Sequence, residues 1–93
     1  MTSVRPTLAD LKARFDQAFP MALVDLVDES HLHAGHAGSQ GGAGHYRVSI
    51  TSDRFKGLKT LAKHRLVYDA VADWMPHRVH ALTIQAVEPA VHP

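Results

Sequence analysis

The sequence predicts an α+β fold in which helices cover one face of a three-stranded mixed sheet. The first observation is that the hydrophobic period alternates along the chain in the order helix, strand, strand, short helical turn, helix, strand. The second is that 93 residues with 45% hydrophobic content provide for one small core. The third is that a strand–helix–strand connection is right-handed and makes its two strands parallel. We therefore expect a single domain over residues 1–93, with its core at about 7–87.

The first helix and the first strand have clear local signals. Thr7 is a predicted N-cap, with Asp10 three residues later as part of a capping box, and Pro20 ends the helix. Apolar residues recur at helical spacing between these limits: Leu8, Leu11, Phe15, Ala18 and Phe19. Residues 22–27 alternate as a strand, but both of its faces are apolar enough to leave the buried one undetermined.

The second half of the chain contains two predicted strands around the longest predicted helix. Residues 45–51 alternate strictly, which predicts one buried and one solvent-facing side. Residues 53–56 predict a short helical turn that ends at Gly57. Residues 79–87 alternate again and place His80 on the side of Leu82 and Ile84.

The helix between these strands is expected from Leu58 or Lys59 to Met75, with Pro76 as its terminator. One apolar stripe recurs along it at steps of three and four residues and is expected to face the sheet. Its members are Leu61, His64, Val67, Tyr68, Val71 and Met75. His64 is therefore expected to be a partly buried histidine with a structural role.

Eight histidines and no cysteine are the main chemical feature of the chain. His31, His33 and His36 lie in a glycine-rich loop at about 29–44, and His80 lies far away in the sequence. Imidazole is the commonest metal ligand in proteins, so this crowding favours metal chemistry. The loop histidines can chelate zinc, nickel or copper alone. Because glycine leaves the backbone unconstrained, weak binding is expected there rather than a structural site.

The charge distribution favours binding over catalysis. The net charge is only +1, yet five of the ten Lys and Arg residues lie between Arg54 and Arg65. A predicted basic helix edge, formed by Lys56, Lys59, Lys63 and Arg65, can contact phosphates or an acidic partner, although an ordinary solvated face is the alternative. We find no constellation of nucleophile, base and orienting group, so no enzyme activity is expected.

The absence of cysteine is typical of a reducing compartment. The first 20 residues lack the charged and apolar regions of a signal peptide, and no apolar run approaches the roughly 18 residues of a membrane span. We therefore expect a cytoplasmic protein with no membrane association.

Three segments together resemble the BolA-like proteins in residue type, order and spacing. They are VDESHLHAGHAG, HYRVSITSDRFKGLKTLAKHRLVYDAVADWM and RVHALTI, and the similarity extends from about Leu11 to Val87. The combination of F-x-G before K-H-R-L-V-Y with V-H-A-L in the last strand is the specific part. The resemblance implies a fold similar to class II KH domains. It also implies partnership with monothiol glutaredoxins and a bridging [2Fe–2S] cluster, and some family members are described as transcriptional regulators.

The resemblance also implies site residues. The family's histidine in the last strand corresponds to His80, and its loop ligand, three positions after an E-S pair, corresponds to His33 after Glu29 and Ser30. Because this loop has additional glycines and histidines, His31 and His36 remain alternatives to His33. The family's helix motif falls on Lys63, His64 and Arg65, while the GXXG loop by which KH domains hold a nucleic-acid backbone is missing from RFKGLK.

The resemblance thus leads to a specific functional hypothesis. This chain is expected to share a glutathione-assisted [2Fe–2S] cluster with a monothiol glutaredoxin, in iron–sulfur trafficking or in iron and redox regulation. It is expected to hold no cofactor when alone, and to be a monomer or weak homodimer when free. The alternative is a DNA-binding transcriptional regulator that uses the basic helix edge.

Overall fold

A computed structural model describes residues 6–30, 44–75 and 77–90. The elements in chain order are helix α1 (Leu8–Ala18), strands β1 (Leu23–Asp28) and β2 (Gly44–Thr51), helix α2 (Thr60–Ala70) and strand β3 (Val79–Val87). Two 3₁₀ turns, Asp53–Phe55 and Ala72–Trp74, flank α2. The predicted order of elements is confirmed. Pro76, the predicted helix terminator, lies outside the described residues.

The sheet is mixed, as predicted, with the strand order β1-β2-β3. Strand β1 pairs antiparallel with β2, and β3 pairs parallel with β2. Strand β2 is therefore central, and its buried side contributes Tyr46, Val48 and Ile50 to the core. Strand β1 turns Val24 and Leu26 toward the core and leaves Leu23 and Val27 exposed, which settles the face that the sequence left undetermined.

Both helices contribute to one core on the inner face of the sheet. Besides the three β2 residues, its fully buried side chains are Leu11, Phe15, Phe19, Phe55, Val67, Val71 and Val79. At the turn before α2, Gly57 has a φ of +76°, which a glycine adopts without strain. Within the described ranges, no helix combines the length and apolar character that a membrane crossing needs.

The start of α1 is fixed by the capping box that the sequence predicts. The Thr7 side chain accepts a hydrogen bond from the Asp10 backbone N–H at 3.0 Å. The Asp10 carboxylate accepts in return from the Thr7 N–H, also at 3.0 Å. Two N–H groups that lack helical partners are thereby satisfied at the helix end.

Helix α2 ends five residues before the predicted Met75, so that boundary prediction is wrong. The chain leaves the helical conformation at Val71, with φ −126° and ψ 18°, and continues as a 3₁₀ turn. Arg14 of α1 donates to the Ala70 carbonyl oxygen at 3.0 Å, and its guanidinium lies 3.9 Å from the centre of the Trp74 ring. Arg14 thus satisfies a carbonyl at the helix end and contacts the aromatic ring beyond it, and both contacts stabilise the early end of the helix.

The buried face of α2 also differs from the predicted stripe. Val67 and Val71 are buried as expected, but Leu61 is 67% exposed and Tyr68 is 39% exposed. Leu66, Ala70 and Trp74 pack against the core instead. The reason is that α2 packs on β3, which is an edge strand, and the Tyr68 hydroxyl donates to the Leu82 carbonyl oxygen at 3.3 Å. His64 is partly buried, as predicted.

The ion pair between Arg14 and Asp73 predicts an acid-dependent loss of stability. The two side chains meet at 2.6 Å, and the hydrogen bond from Arg14 lowers the pKa of Asp73 below its ordinary value of 3.8. A lowered pKa means that ionised Asp73 stabilises the folded state above pH 3.8 and loses this contribution as pH falls through the lowered value.

We therefore expect Asp73→Asn to lower the thermal unfolding midpoint at neutral pH and to have little effect well below pH 3.8. Asp69→Asn, at an exposed carboxylate of the same segment, is the matched control and should show no such pH-dependent difference. Equal pH profiles for the two variants would contradict the assigned role of the ion pair.

Candidate metal centre

A β-bulge at the start of β3 determines where His80 lies. Gly44 pairs with Val79, but the next residue of β2, His45, pairs with Ala81, so His80 is an extra residue in the ladder. Val79 and Leu82 both belong to the core although they are three positions apart. The prediction that His80 shares the side of Leu82 and Ile84 is therefore wrong, because the bulge resets the alternation and His80 is exposed.

Gly44 allows β2 to begin beside this bulge. A Cβ atom at position 44 would collide with the ring of Tyr46. That ring cannot easily move, because it is 1% exposed and its hydroxyl donates to the Pro6 carbonyl oxygen at 2.8 Å. The Gly44 N–H also donates to the Arg78 carbonyl oxygen at 3.0 Å, which joins the starts of β2 and β3.

His45 lies directly beside His80. The centres of the two imidazole rings are 5.1 Å apart, with an angle of 49° between the ring planes. By alternation, His45 belongs to the predicted solvent-facing side of β2, yet it is only 7% exposed. Its backbone N–H is bonded to Ser30, and its ring contacts the ring of His80. Sequence reasoning did not single out this residue.

The two ends of the segment between β1 and β2 are fastened at the same place. The Glu29 N–H donates to the His45 carbonyl oxygen at 2.8 Å, and the His45 N–H donates to Ser30 Oγ at 3.0 Å. The Ser30 N–H donates in turn to the Asp28 carboxylate at 2.9 Å. The E-S pair of the sequence motif therefore closes the base of the loop next to His45 and His80.

The other predicted metal ligands lie beyond the part of the chain that the structure describes. His31, His33 and His36 all fall between residues 30 and 44 and lie outside the described residues. Residues 6–30, 44–75 and 77–90 contain no group of three or more metal-ligating side chains. Glu29, whose N–H donates to the His45 carbonyl oxygen, has its carboxylate paired with Arg47 at 3.3 Å and is mostly buried.

The imidazoles at this place suit a metal ion or cluster whose remaining ligands come from a partner molecule. An imidazole is a ligand for zinc, copper, nickel and iron, and two histidines can replace two cysteines on one iron of a [2Fe–2S] cluster. His80 is exposed on an ordered strand, so a partner molecule can approach its imidazole. The described residues thus fit such a group as part of its ligand set, and they do not supply all of its ligands.

The predicted basic helix edge divides into paired and unpaired cations. Lys56 forms an ion pair with Asp53 at 3.1 Å, and Lys63 is mostly buried and pairs with Glu88 at 3.5 Å. Among the described residues, Lys59 and Arg65 have no carboxylate within ion-pair distance, and both are exposed. The positive charge that remains available is therefore smaller than the sequence predicts.

Comparison with known proteins identifies the family. The model of the BolA-like protein family matches residues 15–90, which is most of the chain. The chain belongs to the BolA-like protein family. The resemblance found in the sequence motifs is thereby confirmed. The predicted α+β class is also confirmed, by a solved structure of the same architecture.

Curated relatives of this BolA-like protein include one named after the family and one named as a regulator. It is 41% identical to BolA-like protein 1 of Mus musculus, over 91% of this chain and 60% of the mouse protein. It is 35% identical to the DNA-binding transcriptional regulator BolA of Escherichia coli, over 80% of this chain and 68% of that protein. The chain thus spans about three fifths of the mouse relative. Neither the family description nor the mouse name indicates a catalytic activity.

A solved structure shows the same architecture. The BolA domain of SufE1 from Arabidopsis thaliana superposes on this BolA-like protein with a TM-score of 0.73. The two sequences are 31% identical, and the match covers 85% of this chain and 87% of that domain.

Proposed function

We propose that this BolA-like protein binds a monothiol glutaredoxin and shares a glutathione-assisted [2Fe–2S] cluster with it, in iron–sulfur trafficking or in iron and redox regulation. The observation that supports this proposal is the exposed imidazole of His80. It lies on a β-bulge beside the fastened base of the histidine-containing loop.

The ligand count requires a partner. A [2Fe–2S] cluster needs four protein or thiol ligands, and the chain has no cysteine. In the proposed complex, this chain supplies two imidazoles, while a glutaredoxin cysteine and a glutathione supply two thiolates. Half-histidine, half-thiolate ligation is chemically sound, because two histidines can replace two thiolates on one iron.

Chain length permits His33 as the second ligand. Ser30 is fixed to His45, and the His45 ring is 5.1 Å from the ring of His80. Three residues of fully extended chain span at most about 11 Å, so the covalent chain keeps position 33 within reach of this place. The maximum distance that the chain allows from Ser30 is shorter for His31 and longer for His36. Both remain alternatives to His33.

The test is a reconstitution with a monothiol glutaredoxin, iron, sulfide and glutathione. The wild-type chain should give a heterodimer whose visible absorption and circular dichroism differ from those of the glutaredoxin homodimer. His80→Ala should abolish that spectrum, because one of the two imidazole ligands is lost. His77→Ala is the matched control, since it removes another exposed histidine near the start of β3 and should leave the spectrum intact.

An unchanged heterodimer spectrum in His80→Ala would exclude His80 as a ligand. An equal loss in His77→Ala would show that the effect is not specific to the bulge. Failure of the wild-type chain to associate with the glutaredoxin would exclude the proposed partnership itself.

A second candidate function is DNA binding through the basic helix edge. The observation that favours it is that two cations, Lys59 at the start of α2 and Arg65 in its middle, are exposed, together with the name of the E. coli relative. Lys63 can join them only if it leaves Glu88. Phosphate contacts of this kind give affinity that falls as salt rises.

If DNA binds here, Lys59→Ala should weaken affinity and reduce the slope of log affinity against log salt by about one. Lys12→Ala is the control, because Lys12 lies on α1 in an ion pair with Asp16. Fluorescence anisotropy with duplex DNA at several salt concentrations measures both. No detectable binding of the wild-type chain at low salt would exclude this function.

A further inference from the structure

We propose that His45 and His80 together bind one divalent ion of the zinc, nickel or copper type when the protein is free. The ion would lie between the two imidazoles at the start of β2 and β3, with solvent as its other ligands. The proposal shares His80 with the cluster proposed above, but it requires neither a glutaredoxin nor glutathione.

The separation of the two rings suits chelation. A zinc–nitrogen bond is 2.0–2.1 Å long, so the metal lies roughly 3.2 Å from the centre of a ligating imidazole, and two imidazoles at a tetrahedral angle have centres roughly 5.2 Å apart. The observed separation of His45 and His80 is 5.1 Å. The distance between the two rings is therefore compatible with one shared ion.

Both imidazoles belong to ordered strands. The backbone of His45 is held by hydrogen bonds with Glu29 and Ser30, and its ring is more than nine-tenths buried. His80 is the extra residue of the bulge, fixed between the core residues Val79 and Leu82. Little conformational entropy is lost when such side chains bind, which distinguishes this pair from histidines in a glycine-rich segment.

The ligand chemistry selects the class of ion. Imidazole suits zinc, nickel and copper, whereas magnesium and calcium prefer oxygen ligands. The carboxylate of Glu29, the residue after β1, is already paired with Arg47. Because only two ligands come from the protein, water fills the other coordination positions of the ion. The bound ion should therefore exchange readily with ions in solution. While bound, it would withdraw His80 from any cluster shared with a partner.

The test is a zinc titration followed by isothermal calorimetry, without a glutaredoxin. It uses a chain in which His31, His33, His36 and His92 are replaced by Asn, so that only the described histidines remain. Replacing a partner of a metal ligand typically costs 10–100-fold in affinity, and loss of a ligand should cost at least about tenfold. We expect that loss for His45→Gln and for His80→Ala, whereas His77→Ala should bind zinc with unchanged affinity.

A second readout identifies the ligands without any substitution of the pair. Zinc should shift the imidazole ¹⁵N resonances of both His45 and His80 in the NMR spectrum, while those of His64 and His77 stay in place. This readout decides the question if His45→Gln does not fold. His80→Ala changes an exposed residue and is expected to fold.

The proposal is wrong if the loop-substituted chain does not bind zinc, or if His45→Gln folds and binds it with unchanged affinity. It is also wrong if the His45 resonances do not shift, because the ion would then be held by His80 alone. Since no glutaredoxin is present, these results bear only on the mononuclear site. Loss of the heterodimer spectrum in the reconstitution above would bear only on the shared cluster.

Discussion

The extra residue at the start of β3 is the constraint on which the candidate site depends. In a regular strand, Val79 and Leu82 would point to opposite faces, yet both lie in the core. The bulge allows the side chains of Val79 and Leu82 to face the same side, and His80 is the extra residue that it leaves out of the ladder. The core thus enforces the exposure of His80, because a regular ladder here would remove Val79 or Leu82 from the interior.

The same end of the sheet fastens the loop. Gly44 joins β2 to Arg78, and His45 joins β2 to Glu29 and Ser30, so three consecutive connections meet beside His80. The domain therefore holds the His80 imidazole on a strand, next to a segment whose sequence contains three further histidines.

Local signals in the sequence predicted the elements, whereas long-range contacts determined what was missed. The capping box at Thr7 and the alternation of β2 are encoded within a few residues; the first is confirmed, and the second is confirmed from Tyr46 to Thr51. The end of α2 is stabilised by Arg14, 56 positions from Ala70, and no local pattern predicts this contact. The bulge at His80 was missed because strict alternation in residues 79–87 gives no sign of a register shift. The contacts of buried His45 are also long-range, because its N–H is bonded to Ser30, 15 residues away. A histidine that opens an alternating strand next to a candidate loop is the one signal that could have identified it.

The central claim is that an imidazole of this chain ligates iron in a cluster shared with a partner. Electron–nuclear double resonance on the reduced heterodimer, with this chain alone labelled with ¹⁵N-histidine, tests it most directly. The account predicts strong ¹⁵N coupling to the cluster, since a directly bound nitrogen acquires electron spin density. A heterodimer that holds its cluster but shows no ¹⁵N coupling would contradict the account, because all the ligands would then come from the partner and glutathione.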